Sequence, residues 1–435
     1  MMKKRPIAVD LFAGAGGMTL GFEQAGFDVL VAVELDPIHC AIHQFNFPFW
    51  KVLCRSVEDI TGSEIRNSSA INNQEIDVVF GGPPCQGFSL IGKRSFDDPR
   101  NSLVFHFIRL VIDLQPKFFV MENVKGMTVG KHKDFIGEII DKFENNSYKV
   151  NHNYQVLNAA NYGVPQNRER LFLLGCRQDL ELPSYPDKIT HQAKLNTKFK
   201  KSLKLPPTPT VLEALQDLPT IENYPELYQQ DWVLADFGKP SQYAIKMRSP
   251  RIAKNNYSYS RKFDHRILTS SLRTKHSPES IERFASTPHG KNEPISRFYK
   301  LDPHGLCNTL RAGTASNKGA FTSPRPIHPF VPRCITVREA ARLHSYPDWF
   351  RFHPTKWHGF RQIGNSVPPF LAQAVAAEII KVLNVEIEQS KRVKILDNIN
   401  LLTLDMSEAA KYFGVDPNVI KPRVRKNKCL DVSAQ

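Results

Sequence analysis

Short apolar runs alternate with helical stretches through the first third of the chain. Apolar residues crowd positions 7–12, 28–34, 76–80 and 118–121, while 18–25, 37–45 and 103–114 carry theirs at helical spacing. Strands this short, each followed by a stretch long enough for a crossover helix, predict a parallel sheet covered by helices. Ligands of such sheets lie at the carboxyl ends of the strands. The residues that end each run are therefore the candidates for chemistry.

Beyond 177 the alternation stops. Pro183, Pro186, Pro206, Pro207 and Pro209 surround the lysine-rich stretch 194–204, which reads as a linker into a region of irregular, largely β or coil character. Helical periodicity returns at 336–343 and 369–383. The expected architecture is a doubly wound, Rossmann-like α/β domain over 1–186, completed by 358–385 returning to pack beside the first strand. A smaller irregular domain and its hinge span 187–357, and 386–435 form an extension of unassigned role. Within that extension 406–415 (MSEAAKYFGV) predicts a helix that docks on the rest of the protein; its match to one helix of a helix-turn-helix is weaker.

Charge adds a direction to this picture. The chain carries a net +15, and residues 187–333 hold 24 Lys and Arg against 12 Asp and Glu, so +12 of it sits in one third of the length. Such a concentration points to a polyanionic partner, of which nucleic acid is the commonest. The seven cysteines are odd in number, widely spaced and free of any C-x-x-C pair, which disfavours zinc or a redox couple and fits a reducing compartment. No run of about 18 apolar residues offers a membrane span, and no apolar signal core follows the first residues. A cytoplasmic protein with no metal and no membrane partner is expected.

Two constellations carry chemistry. Asp10-Leu11-Phe12-Ala13-Gly14-Ala15-Gly16-Gly17 is a glycine-rich turn between the first strand and the first helix, where the backbone can approach a ligand and the helix offers unpaired N–H groups. Its spacing is not the G-x-G-x-x-G of dinucleotide binders. Glu34 ends the second strand, where a carboxylate can accept from both ribose hydroxyls of a nucleoside, and Asp59 lies where a third strand end would fall. The second constellation is 77–89, DVVFGGPPCQGFS. Its apolar strand delivers Cys85 on a Gly-Gly-Pro-Pro turn at the ligand edge. A lone cysteine is usually an inert small hydrophobe, but one presented this way is a candidate nucleophile.

DLFAGAGG, PPCQGFS and Glu122-Asn123-Val124 together resemble the DNA cytosine-5 methyltransferase family, in its bacterial restriction-modification form. Gln166-Asn167-Arg168-Glu169-Arg170, then Arg338-Glu339-Ala340-Ala341-Arg342-Leu343, then Gln362-Ile363-Gly364-Asn365-Ser366-Val367-Pro368-Pro369 follow in the family's order, over about residues 6–380. The resemblance implies an S-adenosylmethionine-dependent methyltransferase, with the cofactor bound by Phe12, Gly14, Gly16, Gly17, Glu34, Asp59 and Asn365. It implies Cys85 as the nucleophile that adds to carbon 6 of a flipped-out cytosine, Glu122 at ring nitrogen N3, and Arg170 with Arg168 at the base carbonyl. The segment 92–100 resembles the family's closing loop. Thr309-Leu310 is similar to the dipeptide that marks its DNA target-recognition region.

Double-stranded DNA is the implied partner, a cognate restriction endonuclease a possible functional one, and a monomer the expected state. Three rivals remain on sequence alone. An RNA (tRNA) cytosine-5 methyltransferase shares the PPCQ and ENV elements but is disfavoured by the long basic insert. An exocyclic-amine methyltransferase needs no thiol, and a non-catalytic relative does not need both Cys85 and Glu122.

Overall fold

The computed structural model describes residues 5–84, 102–130, 132–192, 205–249, 255–313, 325–390 and 393–420. Its centre is an eight-stranded mixed sheet. Strands β1 (Ile7–Leu11), β2 (Asp28–Glu34), β3 (Lys51–Cys54), β4 (Val78–Gly81) and β5 (Phe118–Val124) are parallel, in the order β3-β2-β1-β4-β5. Then β8 (Glu169–Arg177) adds antiparallel to β5, and both β6 (Tyr148–Val150) and β7 (Gln155–Asn158) pair with its far edge. The chain winds outward from β1 on one side and from β4 on the other, so the topological switch point lies between β1 and β4.

Alternation along each strand decides which helices cover which face. Ile7, Val9 and Leu11 of β1, with Phe119 and Met121 of β5, share one apolar layer with the helices Ser102–Leu114 and His132–Glu144. Ala8, Val78, Phe80, Phe118 and Val120 face the opposite layer, with Leu20 and Phe22 of α1 (Gly17–Ala25) and Leu371, Val375 and Ile379 of the helix Pro369–Leu383. Phe22 stacks on Phe80 with ring centroids 3.7 Å apart. Asp10 points into this second layer, where its carboxylate accepts from Thr19 Oγ1 at 2.5 Å and ties α1 to β1. Burial, and then Glu34 nearby, raise its pKa well above the carboxylate range despite the Thr19 bond.

Three expectations need correction. The returning C-terminal helix packs on α1 rather than beside the first strand: a Cβ on Gly21 would lie 2.4 Å from Ala372 Cβ, so the two helices meet almost backbone to backbone. The fifth strand does not stop at Met121 but runs to Val124, because Asn123 and Val124 still pair with Leu171 and Arg170 of β8. The 187–357 region is less β-rich than expected. It contains the short helices Val211–Leu215, Gln242–Arg248 and Pro278–Ser286 beside two-residue strands, and Val211, Ala214, Tyr243 and Met247 join the same apolar cluster as α1.

The helix Lys356–Asn365 was not legible, since its glycines and polar residues blur the apolar period. Met406–Phe413 is a helix, and its Phe413 packs near α2 (Pro37–Asn46), as expected of a docking element.

Candidate active site

Strand register alone brings the candidate residues to one edge. Leu11 pairs with both Val33 and Gly81, and Gly81 pairs with Met121. The next residue along each strand, Glu34, Phe12, Gly82 and Glu122, therefore forms a row across the carboxyl ends of β2, β1, β4 and β5, astride the switch point.

On the β1 side the glycine loop hangs from β2. Ala13 N–H donates to Val33 O at 3.1 Å, and Gly14 N–H donates to Glu34 Oε2 at 2.8 Å. Glu34 Oε1 accepts Asp36 N–H at 2.9 Å, which fixes the carboxylate while leaving each oxygen a lone pair for a ligand hydroxyl. Phe12, Gly14 and Gly16 have φ of 63°, 54° and 99°, the left-handed region that glycine enters freely and Phe12 occupies at a cost. Nothing lies within 4 Å of a Cβ built on Gly14, so the loop opens onto free space there, a cradle suited to a nucleoside cofactor.

The other two glycines have packing reasons. A Cβ on Gly16 would strike Phe47 at 2.5 Å, and one on Gly17 would strike Val367 O at 2.6 Å. Asn365 ends the helix Lys356–Asn365 exposed, next to Ser366. Asp59 does not close a strand: β3 ends at Cys54, and Asp59 is exposed in the following turn. Arg55 N–H still bonds Glu34 O at 3.0 Å, and the chain turns only at 57–59.

On the β4 side the Gly-Gly-Pro-Pro turn is built around Glu122. A Cβ on Gly81 would sit 2.2 Å from Leu11 O, and one on Gly82 would sit 2.6 Å from Glu122 Oε2, so each glycine is imposed by a close approach. Asn123 Nδ2 donates to Pro83 O at 3.0 Å and pins the turn that leads into Cys85. Cys85 and the segment 92–100 lie outside the described residues. Arg170 Nε meets Glu122 Oε1 at 2.8 Å, with both side chains largely buried. Burial raises the Glu122 pKa above the usual carboxylate range, and Arg170, then Arg168, pull it part of the way back. A carboxyl whose proton is held more tightly than usual, beside a guanidinium that orients it, suits a proton donor.

Arg168 does something different from Arg170. Fully buried, it donates to Leu310 O at 2.8 Å, Gly364 O at 2.8 Å and Ser366 O at 2.7 Å. This guanidinium staples three chain segments together rather than standing in the pocket beside Arg170. Gln166 works with it: Oε1 accepts Leu310 N–H at 3.0 Å, and Nε2 donates to Leu343 O at 3.1 Å. Thr309 Oγ1 donates to Asn167 O at 2.7 Å, and Leu310 is 1 % exposed. The Thr-Leu pair thus docks the 187–357 region onto this edge instead of offering Leu310 to DNA, because a buried leucine cannot reach a base. Asn123, Gln166 and Gly82 were the site residues that sequence reasoning left without a role. Each sits inside a motif whose neighbours drew attention, which was the available signal.

The basic insert is only partly a surface. Arg261 pairs with Glu23 with both side chains fully buried, Arg333 pairs with Glu222 and Glu339, and Lys300 Nζ caps Phe284 O and Ala285 O. Lys262, Lys275, Lys291, Arg297 and Arg311 stay exposed. The motif arginines Arg338 and Arg342 are likewise buried; Arg342 is held between Asp217 and Asp348 at 3.0 Å and 2.6 Å.

Comparison with known proteins agrees with this geometry. A family model described as C-5 cytosine-specific DNA methylase matches residues 7–381. The chain is 55 % identical over 421 residues to Type II methyltransferase M.XorII of Xanthomonas oryzae pv. oryzae, covering 97 % of this chain and 95 % of that one. It is 33 % identical to Type II methyltransferase M.DdeI of Desulfomicrobium norvegicum, over 85 % of this chain and 88 % of the relative. Among solved structures it is similar to a DNA modification methyltransferase encoded within an E. coli prophage, with TM-score 0.69 and 34 % identity over 87 % of this chain and all of that one. S. pombe Dnmt2 shares the fold, with TM-score 0.55 at 15 % identity over 88 % of this chain and 100 % of that one. With the switch-point loop, the Glu122–Arg170 pair and the ordered blocks all in place, the chain belongs to the C-5 cytosine-specific DNA methylase family.

Proposed function

We propose that the chain methylates carbon 5 of a cytosine flipped out of a specific duplex DNA sequence, using S-adenosylmethionine and a covalent Cys85 adduct, as the modification enzyme of a restriction-modification system. One observation carries this reading: the buried Glu122–Arg170 pair lies against Gly82, on the turn that leads into Cys85. Bound S-adenosylmethionine supplies a methyl carbon on a positively charged sulfur, which departs as a neutral thioether. Glu34, with the backbone at Phe12, Gly14 and Gly16, would hold the nucleoside, and Asn365 would approach it from the C-terminal segment.

Carbon 5 of cytosine is a poor nucleophile, and a thiolate bond at carbon 6 makes it enamine-like. As the Cys85 sulfur bonds to carbon 6, the ring electron pair moves toward carbon 5 and N3, and Glu122 delivers a proton to N3. Arg170 orients that carboxyl and reaches the base carbonyl. After methyl transfer, loss of the carbon 5 proton to a base expels the thiolate, N3 returns its proton to Glu122, and the ring is restored. The base must leave the duplex to meet these groups. Exposed cations of the insert, Arg311 beside Leu310 among them, attract the phosphates. A cognate endonuclease would be the functional partner, and the enzyme would act as a cytoplasmic monomer.

The test is a covalent complex with duplex DNA carrying 5-fluorocytosine, formed only when cofactor is present and lost in Cys85→Ala. An adduct that persists in Cys85→Ala overturns the assignment of the nucleophile. Bisulfite sequencing of DNA from a host that expresses the protein would give the recognised sequence. A marked preference for tRNA over duplex DNA in methyl-transfer assays would favour the RNA-modifying alternative.

A further inference from the structure

The extension beyond residue 386 lies outside the family match, which ends at 381, yet it is woven through the molecule. Ile387 fills the space over Gly26, where an added Cβ would lie 2.7 Å from its Cγ2. Gln389 Nε2 then donates to Asn256 O at 2.9 Å. The strand Val393–Ile395 pairs in parallel with Ser260–Lys262 of the insert, and Lys394 Nζ lies 4.4 Å above the Phe49 ring. Leu401 and Leu402 turn inward, 3 % and 4 % exposed, into a cluster with Ala41, Ile42 and Phe45 of α2 and with Ala15 of the glycine loop. His353 Nε2 lies 3.3 Å from Leu404 O, and Phe413 and Val415 cover Cys40 and Cys54, which flank Glu34.

This course matters to the loop because of how the loop is held. Its first half is hydrogen-bonded to β2 through Ala13 and Gly14. Its second half contains Ala15, 2 % exposed, between Gly14 and Gly16 at left-handed φ. Glycines on both sides impose no conformation of their own, so Ala15 is held by the turn that Gly16 N–H closes on Ala13 O at 3.0 Å and by what packs against its side chain. Leu401 and Leu402 of the extension complete a wall that Ala41, Ile42 and Phe45 of α2 begin, and the same segment fastens the insert through Ser260–Lys262.

We infer that 387–390 and 393–415 act as a strap in which Leu401 and Leu402 are positioning residues for S-adenosylmethionine, acting through Ala15 to hold the glycine loop in its binding shape. This rests on the reading of the loop and Glu34 as the cofactor site. The strap orders a loop that would otherwise lose conformational freedom on binding, so its loss weakens cofactor affinity and leaves the chemical step alone.

The experiment uses the full-length chain and titrates S-adenosylmethionine by calorimetry into wild type, Leu401→Ala/Leu402→Ala, Leu402→Met and Glu34→Ala. In the double variant Kd and KM for the cofactor rise about tenfold, because the emptied wall no longer orders the loop. Its kcat at saturating cofactor and its affinity for duplex DNA stay at wild-type values, amide exchange of 12–17 quickens, and Leu402→Met behaves as wild type. A cofactor Kd unchanged while melting temperature falls would overturn the inference, showing a purely structural role. So would a weakened affinity for DNA alone. If Glu34→Ala binds cofactor as wild type does, the site reading itself fails and the strap inference with it; loss of binding in Glu34→Ala isolates the test to the strap.

Discussion

Arg170 and Glu122 form a largely buried ion pair, Nε to Oε1 at 2.8 Å, on adjacent antiparallel strands β8 and β5. Because Arg170 pairs in register with Val124 and not with Glu122, the arginine reaches back along the strand to its partner. That reach aligns the carboxyl with the turn to Cys85 and opposes the effect of burial on its proton.

The first prediction concerns that proton. In Arg170→Met the Glu122 pKa rises further, since burial remains while the leading opposing charge is gone. The rate falls, and the alkaline limb of kcat/KM set by Glu122 moves to higher pH; an unmoved limb would mean another group sets it. The stability sign is consistent: the folded chain holds this proton more tightly than the unfolded one, so the contribution of Glu122 declines as pH rises from the ordinary glutamate range through the folded value.

Gly82→Ala tests positioning without touching a reactive group. The added Cβ would lie 2.6 Å from Glu122 Oε2 and must push the carboxyl aside. A shift near 1 Å costs roughly 100-fold in kcat, with the circular dichroism spectrum and melting temperature of the wild type. Activity close to wild type would show that the carboxyl has room to move.

Arg168→Ala separates the staple from the chemistry. It strips partners from three carbonyls, Leu310 O, Gly364 O and Ser366 O, and should cost on the order of 3 kcal/mol in urea unfolding. Arg170→Met should cost less stability, because Glu122 can take up a proton once its partner is gone, and more rate.

Acid should loosen the insert by a route readable in the structure. Burial alone would raise the Glu339 pKa, but Arg333, His328 and the backbone bond at Thr336 outweigh it and lower the value from 4.5 to about 2. A depressed folded value gives stability that is present above the ordinary pKa and lost as pH falls through the folded one. Melting temperature should therefore drop between pH 4.5 and about 2, and the drop should be shallower in Glu339→Gln. Equal slopes would place the acid sensitivity elsewhere, for instance at Asp348, also lowered by Arg342.

The salt dependence of DNA binding should reflect exposed charge only. Lys291→Ala or Arg311→Ala should reduce the slope of log K against log salt by about 1 each if they contact phosphates. Arg261→Met should leave the slope alone, because Arg261 is buried on Glu23.

The sequence by itself determined the sheet's first half and the identity of the edge. Local signals suffice there: apolar runs of strand length, glycines at left-handed φ, and acids at strand ends are set by near neighbours. That is why β2 and the helix Pro369–Leu383 lie where the pattern puts them, and why Glu34, Glu122 and Arg170 are legible in the sequence.

Only tertiary structure decided what each motif residue does. Arg168 and Arg170 are chemically alike and two apart, yet one binds carbonyls from 142 to 198 residues away and the other a carboxylate on the neighbouring strand. Nothing local distinguishes them. Charge counting likewise could not tell Arg261, buried on Glu23, from Lys262 in solvent, because burial of a charge depends on a partner brought from 238 positions away. The wall that 401–402 complete with α2 behind Ala15 has the same origin: two leucines far along the chain acquire meaning when the fold sets them against a loop near residue 15.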